Sequence, residues 1–172
     1  MKSVVYKNYV LEHVFGSMNE VQTKNVVDFW IKYGAIPNDE EARRRAPEVA
    51  CIARNAAKEI VAISTLYTGG LGNPAIPHYF YRMFIRPEDR SSGLFFEIVA
   101  LTRESLAEAR QPNQAEQGLV AVTENPSLMR VSMQAAFEKF GWSYVGKNSK
   151  NQDVWRLSYE NMNPPADWRT KV

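Results

Sequence analysis

Residues 79–106 read YFYRMFIRPEDRSSGLFFEIVALTRESL and join a β-rich run to an amphipathic helix through a loop that ends in Arg90-Ser91-Ser92-Gly93. The first part is dense in aromatic and β-branched residues (Tyr79, Phe80, Tyr81, Phe84, Ile85) that alternate poorly, which predicts a strand buried on both faces. The second part carries Leu94, Phe95, Ile98, Leu101 and Leu106 at helical spacing, with Glu97, Arg103, Glu104 and Glu108 on the other side. The opening amides of such a helix lack backbone partners, and its dipole favours an anion in front of them. The junction is a plausible phosphate seat. A plain helix cap at Ser91 or Ser92 accounts for the same residues, so the surrounding sequence has to decide.

The chain has 172 residues, 45% of them hydrophobic and 23% charged, enough for one well-buried domain over 1–172 and too few for two ordinary ones. A formal net charge of +2 argues against a nucleic-acid partner, which would call for a concentrated basic face. The one basic cluster, Arg43-Arg44-Arg45, follows Asp39-Glu40-Glu41 and reads as a solvated helix face with local ion pairs. A lone cysteine, Cys51, lies among apolar neighbours and reads as a small core residue. Two histidines, His13 and His78, without ligand-like spacing give no case for a metal. The absence of a run of about 18 apolar residues argues against a membrane span, and the start lacks the apolar core of a signal peptide. A cytoplasmic location is expected.

Residues 4–15 supply a first strand before a break at Gly16-Ser17, and Asn19 to Tyr33 form a helix that Gly34 stops. A short helix begins at the cap Asn38 and ends before Pro47. Glu48 to Arg54 and Glu59 to Tyr67 read as antiparallel strands of a hairpin, and Thr68 to Pro77, with three glycines and two prolines, as a loop. After the central helix, Gly118 to Val122 is a further buried strand. Asn125 with Pro126 predicts a cap and first turn of a helix running through Phe140 to Gly141. Val154 to Tyr159 is the last strand, and the tail from about 161 is irregular. The order is that of an α/β protein whose central sheet mixes parallel and antiparallel neighbours.

That order, together with three local matches, resembles the GNAT family of N-acetyltransferases from the first strand to Tyr159. Arg90-Ser91-Ser92-Gly93 is similar to the family's acyl-CoA pyrophosphate loop. Thr123-Glu124-Asn125-Pro126 falls where the family places an Asn facing the pantetheine arm. Phe137-Glu138-Lys139-Phe140-Gly141-Trp142 looks like its helix-to-strand passage through Gly. The resemblance implies the acyl-CoA N-acyltransferase fold, acetyl-CoA as co-substrate, and direct transfer of acetyl to an amine of a small molecule or a protein. It implies that amides from Ser91, Ser92, Gly93, Leu94 and Phe95 hold the diphosphate beside Arg90. It further implies that the strand at Met83, Phe84 and Ile85 pairs with pantetheine and that Asn125 faces it.

Two residues depart from the family pattern. Phe95 stands where a Gly or Ala lets the diphosphate lie close to the backbone. Phe137 stands where many members have a tyrosine that protonates the departing sulfur, a role closed to phenylalanine. For the base, Glu124 is the first candidate because it follows the second central strand, ahead of His78 and Glu48. Tyr79 and Tyr81 read first as core aromatics and second as a cleft wall. These departures keep a second reading open, a non-catalytic module of the same fold that binds a protein partner. The acceptor, the acyl length and the oligomeric state, a homodimer included, stay open.

Overall fold

The structure, a computed structural model, describes residues 2–90 and 93–161. Eight strands build one sheet: β1 (Ser3–Tyr6), β2 (Tyr9–His13), β3 (Val49–Arg54), β4 (Ile60–Leu71), β5 (Ile76–Ile85), β6 (Gly118–Val122), β7 (Ser143–Lys147) and β8 (Asp153–Ser158). Their order in the sheet is β1-β2-β3-β4-β5-β6-β8-β7. β5 and β6 run parallel, whereas β1/β2, β2/β3, β3/β4, β6/β8 and β7/β8 are antiparallel, so the sheet is mixed as expected. The helices are α1 (Glu20–Lys32), α2 (Asp39–Arg45), α3 (Leu94–Ala109) and α4 (Val131–Lys139). The chain divides into two compact units, Met1–Leu66 with Met83–Ser105, and Tyr67–Arg82 with Leu106–Val172.

In the first unit, strand alternation sends β3 and β4 side chains to opposite faces. Ile52 and Ile63 join Val26, Phe29 and Trp30 of α1 in one cluster. Cys51, Ala53 and Ala62 join Leu94, Ile98 and Leu101 of α3 in another. Helices therefore cover both faces, which is why β3 is buried almost end to end. α1 starts where the sequence places it: Gln22 N–H donates to Asn19 Oδ1 (2.9 Å) and Asn19 N–H to Gln22 Oε1 (3.0 Å), a reciprocal cap. Asn38 caps α2 from one side only, its Oδ1 accepting from Glu41 N–H at 2.9 Å. The arginines of α2 make the expected local pairs, Arg43 with Asp39 (2.6 Å) and Arg44 with Glu41 (2.7 Å). Cys51 is fully buried, and burial pushes its thiol well above the ordinary range.

In the second unit, β6 is buried between β5 and β8. Phe137 of α4 stacks on Trp155 of β8 (5.1 Å between centroids, 16° between planes) and meets Trp142 edge-on at 5.7 Å. α4 ends as the Phe-Gly-Trp pattern requires: Gly141 N–H donates to Glu138 O (2.9 Å) and Trp142 N–H to Phe137 O (3.0 Å), closing its last carbonyls.

Five expectations are corrected. Residues 4–15 are two strands, turned at Lys7 with φ +53°, not one. Thr68 to Pro77 is mostly strand: at Gly69 a Cβ would lie 2.8 Å from the Phe80 ring, so the glycine marks a close approach, not a break. β5 is less buried than expected, with only His78 and Tyr81 fully buried in it and most of its other residues half-exposed. The helix predicted from Asn125 is split into a 3₁₀ turn (Pro126–Met129) and α4, because Arg130 turns extended at ψ 148°. The polar side of α3 is solvated only at its end: Glu108 is exposed, whereas Glu97 and Arg103 are buried, and burial pushes the Arg103 guanidinium down to about 10.

The β6 entrance supplies a stability test. Gly118 has φ +147°, and a Cβ there would stand 2.1 Å from the carbonyl oxygen of Leu157 on the paired strand. Gly118→Ala is expected to cost about 3 kcal/mol or more and to lower the thermal midpoint by roughly 6–12 °C, read by calorimetry. A midpoint within a degree of the parent would refute the register drawn for β6 and β8.

Candidate active site

The strand-to-helix junction lies in the first unit. Met83 and Ile85 pack into the cluster that contains Leu94 and Ile98, while Phe84 faces Phe29 edge-on at 5.9 Å. β5 is thus held from both sides up to its last residue. Beyond it, Arg86 N–H donates to Val61 O (3.0 Å), and a 3₁₀ turn (Pro87–Asp89) brings the Asp89 carboxylate inside. Tyr9 Oη donates to Asp89 Oδ1 at 2.7 Å, and Arg86 Nε donates to Asp89 Oδ2. That bond, reinforced by Glu88, holds the Arg86 guanidinium above its ordinary range. The sequence reading missed this buttress; its signal was the Arg-Pro-Glu-Asp run, which sets an acid three residues after a base.

Of the residues assigned to acyl-CoA, Met83, Phe84, Ile85, Arg90, Gly93, Leu94 and Phe95 fall in this unit, and Ser91 and Ser92 lie outside the described residues. Gly93 has φ +80°, a left-handed conformation costly for any side chain, and α3 begins at the next residue. Arg90 folds back over the strand end: its Nε donates to Ile85 O (3.1 Å) and its guanidinium sits 5.9 Å from the Phe84 centroid. Leu94 is core. Phe95 is half-buried, its ring set edge-on to Phe96 at 5.2 Å.

Glu124 and Asn125 belong to the second unit, where both are exposed. Thr123 N–H donates to Asp153 O (3.0 Å) and Glu124 N–H to Val122 O (3.0 Å), which turns the chain out of β6 at Glu124. Glu124 lines a cleft of about 260 Å³ together with Tyr67, Phe80, Tyr81, Arg82 and the β7–β8 turn. In that turn Asn148 Oδ1 accepts from the amides of Lys150 and Gln152, both at 3.0 Å, and Asn148 Nδ2 donates to Gln152 Oε1 (2.8 Å). The other base candidates fare differently. His78 is buried, its Nδ1 2.8 Å from Ile76 O, and Glu48 faces Arg44 and Arg45 at 4.0 and 3.6 Å. Tyr81 lines the cleft, whereas the Tyr79 hydroxyl accepts from Gln114 (3.3 Å).

No protein-family model and no curated protein matches the sequence. Solved structures do. The ribosomal-protein-S5-alanine acetyltransferase from Vibrio fischeri aligns with 95% of this chain and 100% of its own, at TM-score 0.63 and 11% identity. The GNAT family N-acetyltransferase YhbS from Escherichia coli, in complex with CoA, aligns with 95% of this chain and 89% of its own, at TM-score 0.58 and 12% identity. A mutant AtaT toxin bound to the C-terminus of the antitoxin AtaR aligns with 91% and 96%, at TM-score 0.57 and 12% identity. The chain has the GNAT N-acetyltransferase fold.

The hairpin that carries the turn is pinned by Asp153, which is buried and accepts from Lys147 Nζ (2.8 Å), Tyr144 Oη (3.3 Å) and Gln134 Nε2 (3.4 Å). The Lys147 ammonium, helped by those two donors, holds the Asp153 carboxyl below its usual range. The folded state therefore prefers the carboxylate. Its contribution is complete above the ordinary value near 4 and is lost as pH falls through the lower folded value. Asp153→Asn is expected to lower the melting temperature at pH 7 and to flatten its decline between about pH 5 and pH 2. Parallel melting curves for parent and variant across that range would contradict the assignment.

Proposed function

We propose that the protein is an acyl-CoA-dependent N-acetyltransferase that moves acetyl from acetyl-CoA directly to an amine. The observation that carries this reading is the junction itself: a strand held on both faces, a left-handed Gly93 and the immediate start of α3, on a fold shared with a CoA-bound acetyltransferase. Gly93 lets the backbone turn without a side chain in front of the helix, and the opening of α3 presents its dipole to a diphosphate. Met83, Phe84 and Ile85 offer the pantetheine arm a strand to pair with. The reading requires the half-buried Phe95 ring, edge-on to Phe96, to stand clear of the diphosphate.

In the second unit, Glu124 is an exposed carboxylate with no ion pair among the described residues, and it lines a cleft of a size suited to a small acceptor. It takes the role of the base. The acceptor binds as an ammonium; Glu124 removes one proton; the freed lone pair attacks the thioester carbonyl; the C–S bond breaks as the C–N bond completes. The second proton on nitrogen passes to the departing CoA sulfur, so the products are CoA thiol and a neutral amide while Glu124 holds the first proton, and no covalent enzyme intermediate is needed. Phe137 is packed between Trp142 and Trp155 and has no part in this chemistry, and neither does the buried Cys51.

Free CoA at a hundredfold above its dissociation constant is expected to raise the melting temperature by about 5–10 °C, and Gly93→Val to abolish the rise. No shift at millimolar CoA would set the transferase reading aside in favour of the non-catalytic, partner-binding module. Glu124→Gln is expected to lower kcat about 100-fold or more while the KM for acetyl-CoA stays within twofold. An unchanged kcat would remove Glu124 from the reaction.

A further inference from the structure

The cleft beside Glu124 holds two cations as well as the carboxylate. Arg82 is fixed in place: its guanidinium lies 4.4 Å from the centroid of the Tyr67 ring and its Nη2 donates to Tyr67 Oη at 3.2 Å. Tyr67 in turn stacks on Phe80 (5.3 Å, 28°), so cation and two rings form one layered wall. That single hydrogen bond uses one of the five guanidinium donors, and the side chain is exposed to the cleft it lines. Lys150 stands on the turn that Asn148 ties down, and its ammonium has no partner among the described residues.

Lys24, Arg43 and Arg44 are each paired to a carboxylate of their own helix at 2.6–2.7 Å. Arg82, Lys150 and Glu124 line one cleft, and none of the three has an ion pair among the described residues. A guanidinium immobilised on aromatic rings with free donors is suited to a carboxylate or phosphate, and a lysine beside it adds charge of the same sign. Glu124 is suited to an ammonium.

On the transferase reading above, we infer that the acceptor is an amine that also carries an anionic group, carboxylate or phosphate, and that Arg82 and Lys150 select it. A polyamine or a simple alkylammonium offers neither cation an anionic partner and adds positive charge beside them, so such acceptors are disfavoured by the residues present. The cleft is a specificity pocket for doubly charged acceptors.

The test uses the full chain and four probes: O-phosphoethanolamine, β-alanine, ethanolamine and putrescine. Release of CoA thiol from acetyl-CoA is followed for each. The expected result is a KM about tenfold or more lower for an anion-bearing amine than for ethanolamine or putrescine, with the first two probes separating phosphate from carboxylate. Arg82→Gln and Lys150→Ala are each expected to raise that KM about tenfold, with a much smaller change in kcat; Lys150 is exposed on a turn, so its removal leaves the core intact. Equal KM values for the four probes, or discrimination that survives both substitutions, would overturn the inference. A thermal-shift titration of the same probes without CoA separates the two readings. If CoA gives no shift but phosphoethanolamine or β-alanine stabilises the parent and not the variants, the transferase reading fails and the anion site stands. If CoA binds and no probe discriminates, the reverse holds.

Discussion

The buried carboxylate of Asp89 is the constraint on which the first unit turns. It lies where β5 has ended and α3 has yet to begin, and it is held from two directions, by the Tyr9 hydroxyl at 2.7 Å and by the Arg86 guanidinium. An acid taken out of water is tolerable only when such partners are present, and removing one of them leaves a charge with nothing to offset it. Tyr9 belongs to β2 and Arg86 follows β5, so a single side chain couples the start of the sheet to the turn in front of α3. The turn over Pro87–Asp89 rests on an interaction that no periodicity reveals.

The second unit solves a different problem, presentation of charge on a firm support. β6 leaves the sheet at Glu124 because Thr123 and Glu124 satisfy their amides on Asp153 and Val122. The β7–β8 turn is closed by one asparagine that answers two amides and a carboxamide. Arg82 leans on Tyr67 and Phe80. The Arg82 guanidinium and the backbones that carry Glu124 and Lys150 are thereby held in place, which reduces the entropy lost when a ligand pairs with them.

How much of this was legible in the sequence depended on how local its cause was. Asn19, Asn38 and Gly141 act through bonds within a few residues, and the helix ends they predict are those observed. The hairpin of β3 and β4, the buried β6 and the start of α3 also follow from short-range pattern. Gly69 misled because the same residue type marks a turn and a close approach, and only the position of Phe80 tells which. Asn125-Pro126 carries a sound helix-start signal, yet the turn it begins is 3₁₀ and stops at Met129. For the site, Glu124 was accessible as the residue after a central strand. Arg82 and Lys150 were not, since 68 positions of chain separate them and the fold alone places both on one cleft.

One end of the sheet order is β7, whose outward row of amides and carbonyls would otherwise invite a neighbouring chain. The strand has only five residues, its pairing with β8 slips between Tyr144 and Gly146, and it finishes on Lys147. A slipped, twisted border that ends in a cation makes a poor template for continuous addition of foreign strands. The irregularity at Val145 thus acts as a guard against fibril-like growth, letting the molecule keep half-exposed Tyr144 and Val145 at that margin.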